Sequence, residues 1–183
     1  MRKRLTTQRM AALVSALLLT LVMAVPASAG GNGATQISGV GLPDTSGVCD
    51  DFPPQDIYYA IVMDEGSLKG CVYGFFDPEF KIGPSGVAKE RADEIFVGSY
   101  DNGTPDDTGD DLVGRFGMTE NWHAKYDPAS GIQKFGFCKH PIVRGSGTDD
   151  FDGVRGRLDF RDDLTGGPGN ELFIYKGHLK NLD

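Results

Sequence analysis

Residues 112–126 alternate. Phe116, Met118, Glu120, Trp122 and Tyr126 fall on one side of an extended chain, and Arg115, Thr119, Asn121, His123 and Lys125 on the other. A period of two marks a strand with one buried face. The pattern recurs at residues 154–160, where Val154, Leu158 and Phe160 oppose Arg155, Arg157 and Asp159. Residues 56–63, 69–76, 132–144 and 171–179 are β-branched or aromatic runs bounded by turn residues such as Asp127-Pro128-Ala129-Ser130-Gly131, hence further strands. Residues 87–99 read as one or two strands, with a helix over 88–95 as the rival. Seven or eight antiparallel strands joined by short turns make an all-β domain, a closed barrel or a sandwich. The reading favours a small antiparallel barrel of about eight strands, because closure removes unpaired edges that no helix is there to cover.

The barrel is preceded by an address. Arg2, Lys3, Arg4 and Arg9 come before an apolar run over residues 10–25, and Ala27-Ser28-Ala29 has small residues where signal peptidase needs them. Residues 1–29 read as a secretory signal peptide, too short in its apolar run for the roughly 20 residues of a spanning helix. Residues 30–54, rich in Gly, Ser, Asp and Pro, read as a flexible leader, and residues 55–183 as the barrel domain. The expected location is extracellular, with no membrane association after cleavage. Cleavage would remove four basic and no acidic residues, taking the net charge from -8 to -12. Such acidity excludes nucleic acid as a partner, since a binder needs a basic face.

Export implies an oxidising setting and a disulfide. There are three cysteines, Cys49, Cys71 and Cys138, so one thiol is left over. Cys71 and Cys138 each sit in a strand-like run, and a bond between them would staple distant strands of one barrel. That pairing is the expected one, with Cys49 left in the polar leader.

The stretch Gly145-Ser146-Gly147-Thr148-Asp149-Asp150-Phe151-Asp152-Gly153-Val154-Arg155-Gly156 resembles the glycine-rich turn between two strands of the allene oxide cyclase and dirigent barrels. The chain is also similar to a group of uncharacterised secreted bacterial proteins. The resemblance runs through Ser67-Leu68-Lys69-Gly70-Cys71-Val72-Tyr73, Phe96-Val97-Gly98, Cys138-Lys139-His140-Pro141-Ile142-Val143-Arg144-Gly145-Ser146-Gly147 and Tyr175-Lys176-Gly177-His178. It covers roughly residues 67–179 and implies that superfamily's barrel. No catalytic residue carries over through these motifs. The turn has its own physics, because glycine permits positive φ and close backbone approach where a strand must bend. Phe151 is then expected to tuck under it.

Glu120 is the most informative single residue, a carboxylate at the centre of the apolar face. If the 127–131 turn pairs Tyr126 with Ile132, Glu120 lies opposite Cys138 and Met118 opposite His140. Glu120, Cys138 and His140 then share a face, an acid/base pocket in which Glu120 and His140 are the catalytic candidates. A register one residue away places Phe137 opposite Glu120 instead. Phe116, Met118, Glu120 and Trp122 are the candidate ligand-binding residues. His123, His140 and His178 have no spacing signature, so neither a metal nor a cofactor is expected. Loop 100–111 carries Asp101, Asp106, Asp107, Asp110 and Asp111, dense enough for Ca²⁺ but out of order for an EF-hand. A solvated acidic loop is the plainer reading.

Three functions remain open. The first is a secreted barrel binding a small apolar or aromatic ligand, since eight strands leave room for side chains or one small guest. The second is an isomerase or cyclase of the type the resemblance implies. The third is a packed structural or interaction barrel, acting through its acidic surface or as a homo-oligomer. An open apolar pocket with Glu120 on its wall would separate the second from the third.

Overall fold

The computed structural model describes residues 33–50, 57–75, 81–104, 106–167 and 171–182. Residues 1–29, read above as a signal peptide, lie outside them. Ten strands follow in chain order: β1 (Ala34–Pro43), β2 (Ile57–Gly66), β3 (Leu68–Phe75), β4 (Lys81–Ile82), β5 (Val87–Tyr100), β6 (Leu112–Tyr126), β7 (Gln133–Pro141), β8 (Thr148–Asp149), β9 (Arg155–Asp163) and β10 (Leu172–Lys180). A single 3₁₀ turn, Thr108–Asp110, is the one helical element among the described residues. The ring runs β1-β2-β3-β5-β6-β7-β9-β10 and back to β1, with β5 against β6 completing it. Every pairing is antiparallel. This is a closed eight-stranded barrel with two short extra strands, β4 and β8. Residues 87–99 form one continuous strand, and the helical rival is discarded.

Two expectations need correction. The segment read as a flexible leader supplies β1, which pairs with β10 on one side and β2 on the other. Its glycines hid the strand. At Gly39 a Cβ would lie 2.1 Å from the Glu65 carbonyl oxygen and 2.5 Å from Tyr175 Oη, so a side chain cannot be accommodated where these elements meet. The second correction concerns the disulfide. Cys71 sits on the outer face of β3 with Tyr73, whereas Cys138 faces the lumen from β7. They lie on opposite sides of the wall and cannot meet. The bond is Cys49–Cys71, with a Cα–Cα distance of 5.9 Å, and Cys138 is the buried free thiol.

Cys49 reaches Cys71 because the loop after β1 folds back over the outside of the barrel. Asp44 organises it, accepting backbone N–H groups of Ser46, Gly47 and Cys49, and these bonds hold its carboxyl below the usual carboxylate range. The bridge closes a loop of 22 residues, worth about 3 kcal/mol through restriction of the unfolded chain. Replacing both Cys49 and Cys71 by alanine is expected to lower the urea midpoint by an amount equivalent to about 3 kcal/mol. An unchanged midpoint would mean that the loop contributes nothing to the fold.

Inside, the two ends of the lumen differ. The end nearer the start of β6 is filled. Phe151, with 0% exposure, enters from the glycine-rich turn and meets Phe116 edge-on at 5.3 Å and Phe96 at 6.1 Å. Tyr175, Met63 and Leu68 complete that packing, and Tyr175 Oη accepts the Leu68 N–H at 2.9 Å. Phe151 does tuck under the turn. The other end of the lumen is not filled.

Candidate functional site

The open end holds a cavity of about 160 Å³, lined by apolar side chains such as Ile61, Phe160 and Phe173 and by Tyr59, Glu94, Glu120, Cys138 and His140. It continues into a wider mouth of about 350 Å³. Trp122, Tyr59, Glu120 and Asp162 border both spaces. Two glycines make room for this arrangement. At Gly74, opposite Tyr59 on β3, a Cβ would stand 2.2 Å from the Tyr59 ring. At Gly136 a Cβ would stand 1.9 Å from Asp162 Oδ2.

The register that builds the site differs from the expected one but keeps its faces. Tyr126 pairs with Gln133 rather than Ile132, and a bulge follows between Lys125 and Tyr126. These two single-residue displacements add up to two. Trp122 therefore lies opposite Cys138, and Met118 meets Ile142. An even shift preserves which side chains point inward, so Glu120, Cys138 and His140 do share a face. Their ligand-type atoms lie within 4.8 Å of one another. Of the four candidate ligand-binding residues, Glu120 and Trp122 line the cavity, while Phe116 and Met118 lie in the packed half. His123 meets Phe137 edge-on at 5.3 Å and His178 pairs with Gln36, so the three histidines do not converge. In loop 100–111, Asp101 and Asp107 accept the loop's own N–H groups and Asp110 accepts the Thr104 hydroxyl.

Two members of the site were not singled out from the sequence. Glu94, 2% exposed, comes from β5, and Tyr59 from β2. The Tyr59 hydroxyl lies 2.5 Å from Glu94 Oε1 and 3.1 Å from Glu120 Oε2. The Cys138 thiol donates to Glu120 Oε1 at 3.2 Å. His140 Nε2 lies 3.1 Å from Glu94 Oε2, an ion-pair distance without the alignment of a hydrogen bond.

The donor count assigns the protons. A phenol has one proton, and its shorter contact is to Glu94. Its contact with Glu120 is then satisfied if Glu120 carries a proton on Oε2 and donates it to the phenol oxygen. Glu120 Oε1 is left to accept from Cys138. The electrostatics agree. Burial and then the charge of Glu94 push the Glu120 carboxyl above its ordinary range, against the opposing pull of Cys138, His140 and Tyr59. Burial works against a charged His140, but the adjacent Glu94 overrides it and holds the imidazole above its ordinary value. Burial raises both the Cys138 thiol and the Tyr59 phenol. The cluster is thus a connected chain, His140–Glu94–Tyr59–Glu120–Cys138, in which burial and the charge of Glu94 favour the protonated form of Glu120 on the cavity wall.

A thiol, an imidazole and a carboxylate in this arrangement are of the type that holds a zinc-like ion. Burial of Cys138 opposes the thiolate such an ion needs.

The mouth is acidic. Burial and the neighbouring Glu120 push Glu90 up to about 7. Asp162 is raised chiefly by burial, although it accepts Gln133 Nε2 at 2.5 Å and the Trp122 indole N–H. Glu90, Glu120, Asp162 and His140 therefore all favour the protonated form more in the folded state than in the unfolded chain. Their stabilising contribution is complete at low pH and is lost as pH rises. For Glu90 that loss spans from 4.5 to about 7. Asp127 and Asp163 are lowered by hydrogen bonds in their turns, and their contribution is lost only as pH falls from 3.8. The melting temperature is expected to fall between pH 5 and 7.5, and Glu90→Gln to flatten that slope. A melting temperature rising across the interval would contradict these assignments.

Compared with protein-family models, with curated proteins and with solved structures, the chain finds no match.

Proposed function

We propose that this protein is an exported barrel that takes a small apolar or aromatic guest into its open half. The carrying observation is the cavity itself. About 160 Å³ of apolar-walled space ends on a hydrogen-bonded polar cluster and opens to a mouth. An apolar pocket with a few convergent polar groups is the usual form of a small-molecule site, and a cavity of roughly 150 Å³ holds one benzene-sized ring. The guest places such a ring between Phe160, Phe173 and Trp122, and directs a polar atom at Glu120 or Tyr59. The signal-like start of the chain and the Cys49–Cys71 bridge support export. The glycine-rich turn supports kinship with the allene oxide cyclase and dirigent barrels.

The test uses Trp122, the single tryptophan. Phenol, indole and cyclohexanol are titrated against the oxidised protein. A saturable change in indole emission, matched by one bound guest in native mass spectra, is expected. No saturable change and no added mass with any of the three would refute the reading.

A second reading is an isomerase or cyclase, favoured by a carboxyl group, Glu120, whose burial favours the protonated form on the wall beside the guest. Its role would be to deliver a proton from Oε2, with Glu94 and His140 restoring it through Tyr59. Such an enzyme introduces solvent deuterium into a bound guest with an exchangeable C–H, and Glu120→Gln stops the exchange. Equal exchange in both proteins would exclude the role for Glu120.

A further inference from the structure

The charges around the two connected spaces do not balance. Glu90, Glu94, Glu120 and Asp162 border them, and among the described lining residues there is no lysine or arginine. Among these described lining residues the only basic side chain is His140, and Glu94 already engages it. Glu94 Oε2 is buried at the cavity and accepts no hydrogen bond of good geometry. One imidazole thus stands against several carboxyl groups, and natural sites rarely leave partly buried carboxylates without a counter-charge.

The throat between cavity and mouth concentrates this imbalance around one aromatic ring. Glu90 lies opposite Trp122 across β5 and β6. Glu120 is two residues away on the same face of β6. Asp162 on β9 holds the indole by a hydrogen bond, and Tyr126 meets it edge-on at 6.4 Å. Carboxylates beside Trp and Tyr rings are the surroundings in which an organic ammonium gains both ion pairing and cation–π attraction. An anionic guest would meet repulsion, and a neutral one would leave Glu90 and Asp162 without a basic partner.

We infer that the barrel's guest is an organic cation, with an apolar body in the inner cavity and an ammonium group in the throat among Glu90, Glu120 and Asp162 beside Trp122. This rests on the binding function proposed above and adds the charge of the guest. The upward shifts of Glu90, Glu120 and Asp162 fit it, because each reports negative charge that burial and neighbours disfavour. A bound cation supplies the missing partner and returns these groups to their ionised form.

Three probes of one size separate the possibilities: phenethylamine, cationic at neutral pH; 2-phenylethanol, neutral; and phenylacetate, anionic. Each is titrated against the full oxidised protein, by Trp122 emission and by calorimetry, in dilute buffer at pH 7.5. The ammonium is expected to bind at least 10-fold more tightly than the alcohol, with phenylacetate weakest. Glu90→Gln is expected to narrow the ammonium-to-alcohol ratio several-fold and Glu90→Asp to restore part of it, in variants whose melts show a folded barrel. Equal affinity of alcohol and ammonium would overturn the charge inference while leaving the binding function standing. So would a ratio unmoved by Glu90→Gln together with Asp162→Asn. Failure of all three probes to bind would overturn both.

Discussion

Replacing Glu94 by glutamine is expected to destabilise the barrel by about 3–5 kcal/mol, the loss seen when one member of a buried charge pair is removed. Glu94 and His140 are each 2% exposed, and the ion pair between them spans 3.1 Å. Without the carboxylate, His140 retains the burial that disfavours its charged form and loses the group that offsets it. The imidazole pKa should therefore move from above its ordinary value to below it, which an NMR titration reads directly. Tyr59 also loses the acceptor of its shorter hydrogen bond. At roughly 2–4 °C per kcal/mol for a domain of this size, the melting temperature should drop by about 10 °C. Replacing both partners with apolar side chains, as in Glu94→Leu with His140→Phe, should recover much of the loss, because no charge is then left buried alone. A Glu94→Gln protein that melts like the parent, with an unmoved His140 titration, would show that the pair is not formed.

Phe151→Ala should be comparably severe for a different reason. Phe151 is fully buried and contacts two other rings, Phe96 and Phe116. Removing a buried aromatic ring costs about 3–5 kcal/mol in lost transfer energy and residual cavity. Here it also unplugs the packed end of the lumen. The turn that carries it has little slack: a Cβ on Gly147 would lie 1.9 Å from the Phe151 carbonyl oxygen. The expected result is a matching fall in the urea midpoint. A loss below about 1 kcal/mol would place the ring outside the core.

The barrel was legible where one face of a strand is buried and the other solvated. In β6, Phe116, Met118 and Glu120 face inward and alternate with more exposed residues, so the sequence pattern and the structure coincide. Legibility failed where that contrast is absent. On β5 the inward positions are Ala88, Glu90, Ala92, Glu94 and Phe96, while Lys89, Arg91 and Asp93 point out. Acids and alanines on the inner face carry no apolar period. Counting back by twos from Phe96 would have placed Glu94 and Glu90 inside. On β2 the opposite holds: Ala60 and Val62 are covered from outside by the cluster around Cys49 and Cys71. Both faces are therefore apolar, and Tyr59 did not stand out.

The site was half legible for a related reason. Face parity survives an even register shift, so Glu120, Cys138 and His140 share a face in the Tyr126–Ile132 register and in the observed one alike, although the cross-strand partners differ by two. The observed disulfide differs from the expected one because strand membership alone does not say which wall of a barrel a cysteine occupies. Cys71 follows the outward parity of β3 and Cys138 the inward parity of β7. That parity, with Tyr73 and Phe75 beside Cys71, was the available signal.

The central claim is that a small guest enters the open half of this barrel and ends on the carboxylate cluster. The most direct check is NMR mapping on protein labelled at isoleucine methyls and at the Trp122 indole, titrated with a phenol-sized guest. The account requires saturable shifts at Ile61 and Trp122, with Ile37 and Ile142 in the packed region unmoved. Shifts confined to exposed positions such as Ile132 and Ile174, or no saturable shift with any guest, would contradict it.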